Sequence, residues 1–207
     1  MRHGADGRTE GLGLRERKKV RTRRAIRESA MRLFADHGYD NVTVDQIAAE
    51  AEVGRTTFFT YFASKEAAIS EPDPDDVAFW GELRAQQPNS TPLWDALVTV
   101  LLDGFRSMES SFAVKQQLLA ADPTLADALA KATLWINRDL RAWVDERTSP
   151  GDRPIARLQL AVALAAIEAA YEEWAADEPF SVFLARSEEN LRLAAGGVER
   201  LSLRHSP

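Results

Sequence analysis

Residues 43–62 contain two helix-start signals set so close together that neither helix has room for more than one or two turns. Thr43 and Gln46 stand at the Thr-x-x-Gln spacing of a capping box, flanked by Val42 and Ile47 as a hydrophobic staple. Gly54 is an acceptable second N-cap, with Val53 and Phe58 repeating the staple. The first helix presents Ile47, Ala48 and Ala51 as an apolar face with small residues where a neighbour must approach. The second buries Phe58 and Phe62 and leaves Arg55, Thr56, Phe59 and Thr60 outside. Helices this short are marginal in water, so a supporting element is required. Residues 21–37 supply it: Ile26, Ala30, Leu33, Phe34 and His37 form its inner stripe, and Gly38-Tyr39 predicts a Schellman-type end. A supporting helix followed by two short helices across a tight turn is the arrangement that carries its last helix into the DNA major groove.

The charge distribution agrees. The whole chain has a net charge of −6, which would argue against nucleic acid, but residues 1–65 carry 13 Lys/Arg against 9 Asp/Glu and residues 66–207 carry 13 against 23. A basic head precedes an acidic body. The densest positive run is Arg15-Glu-Arg-Lys-Lys-Val-Arg-Thr-Arg-Arg24. Cations at the start of a helix are disfavoured by its dipole, so this run predicts an external anion, with Arg15, Arg17, Lys18, Lys19 and Arg23 as phosphate contacts. Arg55, in the first turn of the second short helix, is the candidate base reader, because Arg on guanine is the commonest specific pairing. Thr56 and Thr60 lie on the same side, and Thr43, Phe59 and Tyr61 complete the expected contact set.

Three words extend this reading to a family: Ala-x-x-Leu-Phe-Ala-Asp-His-Gly-Tyr at 30–39, Val-Thr-Val-Asp-Gln-Ile-Ala at 42–48, and Thr-Phe-Phe-Thr-Tyr-Phe-Ala-Ser-Lys-Glu at 57–66. In combination they make residues 15–66 resemble the DNA-binding domain of the TetR (tetracycline-repressor-like) regulators. The resemblance implies a dimeric repressor whose C-terminal domain binds a small molecule that releases operator DNA. It also implies that Lys65 grips a phosphate. Two positions depart from the family pattern. Glu52 stands where the turn usually has Gly, which predicts a positive φ at a cost on the order of 1 kcal/mol; Phe59 stands where the family usually has a Tyr that touches a phosphate. Leu-Arg-Glu-Arg-Lys-Lys and the Thr-Phe-Phe word resemble the mycofactocin-type branch, some members of which respond to fatty acyl-CoA.

Beyond residue 63 the pattern is helical, giving an all-α chain of about nine helices. The expected organisation is a disordered segment at 1–14, a helix-turn-helix domain at 15–63, and a helical ligand-binding and dimerisation domain at 64–207. Ser64 caps a fourth helix that Pro72 and Pro74 interrupt near 71–75, with a restart at Val77. Residues 93–108 are apolar on almost every side and predict a central helix. Around it Trp80, Trp94, Leu97, Leu101, Phe105, Phe112 and Trp135 are candidate walls for an elongated apolar ligand, with Gln116, Asn137 and Arg138 as polar anchors. Helix 154–177 carries two apolar stripes. Ile155, Leu158, Val162, Ala166 and Ala169 are assigned to the core. Leu160, Leu164, Ile167, Tyr171 and Trp174, with Phe183 and Leu191 of the last helix, are assigned to a second copy of the chain. Gly196-Gly197 begins a tail.

Other classes of function find little material. There are no cysteines, the histidines at 3, 37 and 205 are scattered, and no nucleophile, phosphate-loop or zinc motif occurs, so no enzyme, metal or cofactor is expected. No apolar run long enough to span a bilayer and no signal-like N-terminus is read, which predicts a cytoplasmic protein. The partners expected are operator DNA, an effector and a second copy; the competing reading is a DNA-binding architectural protein without a ligand.

Overall fold

The computed structural model describes residues 13–109, 112, 115–116, 118–119, 126–175 and 177–198. Among them every regular element is a helix: α1 (Leu14–His37), α2 (Val44–Glu50), α3 (Arg55–Tyr61), α4 (Ala67–Ser70), α5 (Pro74–Ala85), α6 (Leu93–Ser107), α7 (Ala126–Arg147), α8 (Arg153–Glu172) and α9 (Phe180–Val198). The expected disordered segment falls almost wholly outside the described residues.

The N-terminal domain forms as its local signals dictate. Thr43 Oγ1 accepts from the Gln46 backbone N–H, while Gln46 Oε1 accepts from the Thr43 N–H, completing the capping box. Gly54 is the N-cap of α3. Glu52 has φ 53°, the left-handed conformation that a family glycine would adopt freely. Ile26, Phe34, Ile47, Phe58 and Phe62 meet in a fully buried core. Three expectations need correction. The supporting helix begins at Leu14 rather than at residue 21, so the whole basic run lies within it. His37 is exposed. Gly38 has φ 78° but ψ 150°, so the chain leaves α1 extended instead of closing a Schellman loop.

The expected proline-rich break is present. α4 stops at Ser70, and α5 restarts at Pro74, with Asp73 accepting from the Asp75 N–H as N-cap. The restart comes earlier than Val77 because proline is well suited to the first helical position.

α6 is the central element of the second core, packed by α5, α8 and α9. Its Leu97, Val100 and Leu101 are fully buried, and Gly104 is required by close approach: a Cβ there would lie 2.4 Å from the Trp80 ring. The stripe of α8 assigned to a second copy lies instead in the core of the single chain. Leu160, Ile167 and Trp174, with Phe183 and Leu191 of α9, are buried within the single chain, and Leu164 and Tyr171 pack against them. Leu158 faces out, in line with exposed Ala161, Ala165 and Ala169. α8 is long and apolar enough by composition to cross a membrane, which revises the sequence reading; it packs between α7 and α9. α9 continues helically through Gly196 and Gly197.

The domain boundary is not clean. Ala67, Ala68 and Ile69 of α4, and Leu118 far along the chain, all belong to the N-terminal core.

Candidate nucleic-acid interface

The basic run of α1 divides between two faces. Arg15, Arg17, Lys18 and Lys19 are exposed. Arg15, Lys18 and Lys19, with Arg21 and Thr22, line an open cleft of about 960 Å³ whose opposite wall is the 51–54 turn and Thr57, Thr60 and Tyr61 of α3. Arg23, Arg24 and Arg27 turn the other way, onto the α4–α5 joint. Arg23 donates to the Tyr61 carbonyl at 2.8 Å and to Glu71 Oε2 at 2.6 Å, and its guanidinium lies 4.4 Å over the Phe62 ring. Arg24 pairs with Asp75. Arg27 donates to the Glu71 carbonyl at 2.6 Å, and burial holds its guanidinium below its ordinary pKa. Arg23 is therefore corrected from a phosphate contact to a tie between α1, the end of α3 and the linker. Net charge along a run cannot distinguish these faces; the helical turn of 100° per residue does.

Lys65 is corrected likewise. Its ammonium donates to the Tyr39 carbonyl at 2.8 Å and the Val42 carbonyl at 3.1 Å and lies 4.0 Å over the Tyr39 ring, so it fastens the α1–α2 connection from inside. The Tyr39 hydroxyl meets the Glu66 carboxylate. Burial alone would raise the pKa of Glu66, but the Ser64 and Tyr39 hydroxyls outweigh it and hold the carboxyl below its ordinary value.

The outer face of α3 is as expected. Phe58 and Phe62 anchor the helix, ring centroids 5.9 Å apart, and Arg55, Thr56, Phe59 and Thr60 stand exposed. The Thr60 hydroxyl donates to the Thr56 carbonyl at 3.0 Å, leaving its oxygen able to accept. Thr43 is exposed beside them, and Tyr61 is half-buried against the cleft. Sequence reasoning missed Asp45, whose carboxylate lies 2.7 Å from Arg55 Nη1. Its position in the first turn of α2 suits the helix dipole, and nothing in the spacing discloses a partner on the next helix.

In the C-terminal domain the expected pocket residues converge, with two exceptions. Trp80, Trp94, Leu97, Leu101, Phe105, Phe112 and Trp135 are all buried in one cluster. Phe105 meets Trp80 at 5.4 Å and Phe112 at 5.3 Å, both edge to face, and Trp80 meets Trp135 at 6.0 Å. Gln116 Nε2 donates to the Trp174 carbonyl at 2.7 Å. Gln116 Oε1 and the indole N–H groups of Trp80 and Trp135 are buried without a hydrogen-bond partner among the described residues. Asn137 and Arg138 are exposed on the far side of α7, where Arg138 contacts the neighbouring Asp139, and so are not anchors.

Residues 26–70 match the bacterial regulatory proteins of the tetR family. The transcriptional regulator TcmR of Streptomyces glaucescens is 43% identical over 84 residues, a match that spans 40% of this chain and 37% of that protein. A longer match is to MftR of Mycobacterium tuberculosis, a proposed mycofactocin biosynthesis transcriptional regulator. It is 31% identical over 180 residues, 80% of this chain and 86% of that protein. Among solved structures, the fatty acid degradation regulator FadR of Bacillus halodurans has the same fold, with a TM-score of 0.58 at 19% identity over 89% of this chain and 97% of that one.

Proposed function

Because the chain belongs to the TetR family of bacterial regulatory proteins, we propose that it is a cytoplasmic homodimeric repressor. It reads a two-fold operator with α3 and leaves it when an apolar, acyl-type effector enters the core around α6. The coarser part stands on the relatives: this is a DNA-binding transcriptional regulator and not an enzyme. The observation that carries the finer reading is the outer face of α3. Arg55, Thr56, Phe59 and Thr60 are exposed together beside a cleft walled by Arg15, Lys18 and Lys19. Selection of bound duplexes from a random pool tests it. A palindrome is expected, with half-sites centred about 34–36 Å apart or on a multiple of a turn. Arg55→Ala should cost roughly 1–3 kcal/mol on that site and relax one base pair per half-site. Equal weakening on scrambled DNA would make Arg55 a phosphate contact instead.

Dimerisation is assigned to the outer face of α8 and α9. Leu158 and Leu193 are exposed there, and Ala161, Ala165 and Ala169 allow a second copy to approach closely. Ala165→Arg should give a monomer of unchanged helicity by sedimentation; an unaltered dimer would place the interface elsewhere. The effector reading is supported by the aromatic cluster and its three partnerless polar atoms, since ligand sites combine apolar walls with a few orienting polar groups. Release requires an effector that prefers the conformer unable to span both half-sites. Acyl-type ligands should quench tryptophan fluorescence and weaken operator binding over one concentration range. Operator binding indifferent to such ligands would favour the ligand-independent alternative.

A further inference from the structure

Arg55 is the only charged residue of α3, and two other side chains hold it. Asp45, in the first turn of α2, places Oδ2 2.7 Å from Arg55 Nη1, and the guanidinium lies 5.3 Å over the Phe59 ring. Arg and Asp side chains are 58% and 66% exposed, so the pair stands on the surface that α3 presents outward and is not a buried structural tie. A carboxylate on that surface works against affinity, because it faces the phosphates whose neutralisation supplies most of non-specific binding. Its dipole role in α2 does not account for the contact. Thr43 and Gln46 already satisfy the start of that helix, whereas Asp45 reaches across the turn to a different one.

Bidentate reading of guanine requires the guanidinium plane to be aimed, and an unrestrained arginine samples many rotamers. Asp45 takes the Nη1 side and Phe59 lies against a face. These two contacts restrict how the fork can swing away from the base edge, while Asp45 engages Nη1 and not Nε or Nη2. We propose that Asp45 is a positioning residue for base readout: it aims Arg55 at one base pair and, by its charge, lowers affinity for DNA that lacks that pair. This also gives Phe59, which replaces the tyrosine usual in the family, a role as the surface against which the guanidinium rests.

The proposal rests on Arg55 as base reader, and the test separates the two. Duplexes are the site selected by the wild-type chain, its single-base-pair variants and a scrambled sequence, all at one salt concentration. The proteins are wild type, Arg55→Ala, Asp45→Asn, Asp45→Ser and the double variant Asp45→Asn/Arg55→Ala, each first checked for unchanged helicity. Asn and Ser both suit a helix start, so at least one folded neutral variant is expected. Arg55→Ala identifies the base pair that Arg55 reads; if it identifies none, the base-reader reading fails whatever Asp45 does. Given that pair, Asp45→Asn should reduce discrimination there about tenfold and tighten scrambled DNA by about twofold to fivefold through loss of the charge. In the Arg55→Ala background it should change discrimination no further. Equal tightening on every duplex with discrimination intact would overturn the proposal, leaving Asp45 as simple repulsion. A change of base preference in the Arg55→Ala background would overturn it too, because Asp45 would then be reading a base itself.

Discussion

The two cores of this molecule are built from different side chains and leave different parts of the chain to act. Around α1–α3 the core is aliphatic with Phe34, Tyr39, Phe58 and Phe62, and the polar residues Arg55, Thr56 and Thr60 stand exposed on the outside of α3. Around α6 the core is dense in aromatic rings, and the polar atoms of interest, Trp80 Nε1, Trp135 Nε1 and Gln116 Oε1, are inside. A domain that meets a polyanion needs a rigid scaffold and an available surface. On the proposed reading the second domain answers to an apolar molecule, which needs an interior whose packing can differ between two states. Between them lies a joint of charged groups. Arg23, Arg24 and Arg27 of α1 face Glu71, Asp73 and Asp75, and Lys115 is buried close to Arg27, Asp73 and Asp76.

The sharpest difference between the two cores is expected at Phe183. This ring is fully buried and meets Phe105, Phe112, Tyr171, Trp174 and Phe180. Phe183→Ala should destabilise the C-terminal domain by about 3–5 kcal/mol. If the two cores are separable, denaturant unfolding followed by tryptophan fluorescence will shift far more than the unfolding of α1–α3. A single shared transition, displaced by the whole amount, would show that the joint welds them into one cooperative unit.

The joint itself predicts a pH dependence. Burial first, and the neighbouring Arg27 second, lower the Lys115 pKa from 10.5 to about 8. Between these values the unfolded chain binds more protons than the folded one, so stability rises as the pH goes from about 8 to 10.5, and below 8 the fold carries the full penalty of a buried charge. A shift of this size corresponds to about 3 kcal/mol. Lys115→Met should remove the rise, as read from urea unfolding at the two ends of that window. An identical rise in the variant would assign the dependence to other groups.

The smallest effect expected is at the turn of the reading motif. Glu52→Gly removes the left-handed strain at φ 53° but frees the unfolded chain, so the net gain should be no more than about 1 kcal/mol, confined to the N-terminal domain. A loss of stability would mean that the Glu52 side chain makes a compensating interaction.

What was legible in the sequence is what neighbouring residues settle among themselves. The Thr43–Gln46 box, the Gly54 cap, the break at Pro72 and the burial of α6 all depend on contacts within a turn or two, or on one helix's own periodicity, whereas the positive φ at Glu52 was legible only through the resemblance to a family that has Gly there. The tertiary structure decided everything that required knowing where a second helix lies. Two apolar stripes on α8 are equivalent by periodicity, and only the position of α6, α7 and α9 selects Leu160 and Ile167 for the core and leaves Leu158 outside. Arg23 and Lys65 have stems long enough to reach either phosphate or a nearby carbonyl, and the carbonyls of Tyr61, Tyr39 and Val42 drew them inward. Leu118 joined the core of a domain that ends some fifty residues earlier in the chain, near residue 70. Asp45 and Arg55 lie on separate helices, and the crossing of α2 over α3 is what makes them a pair.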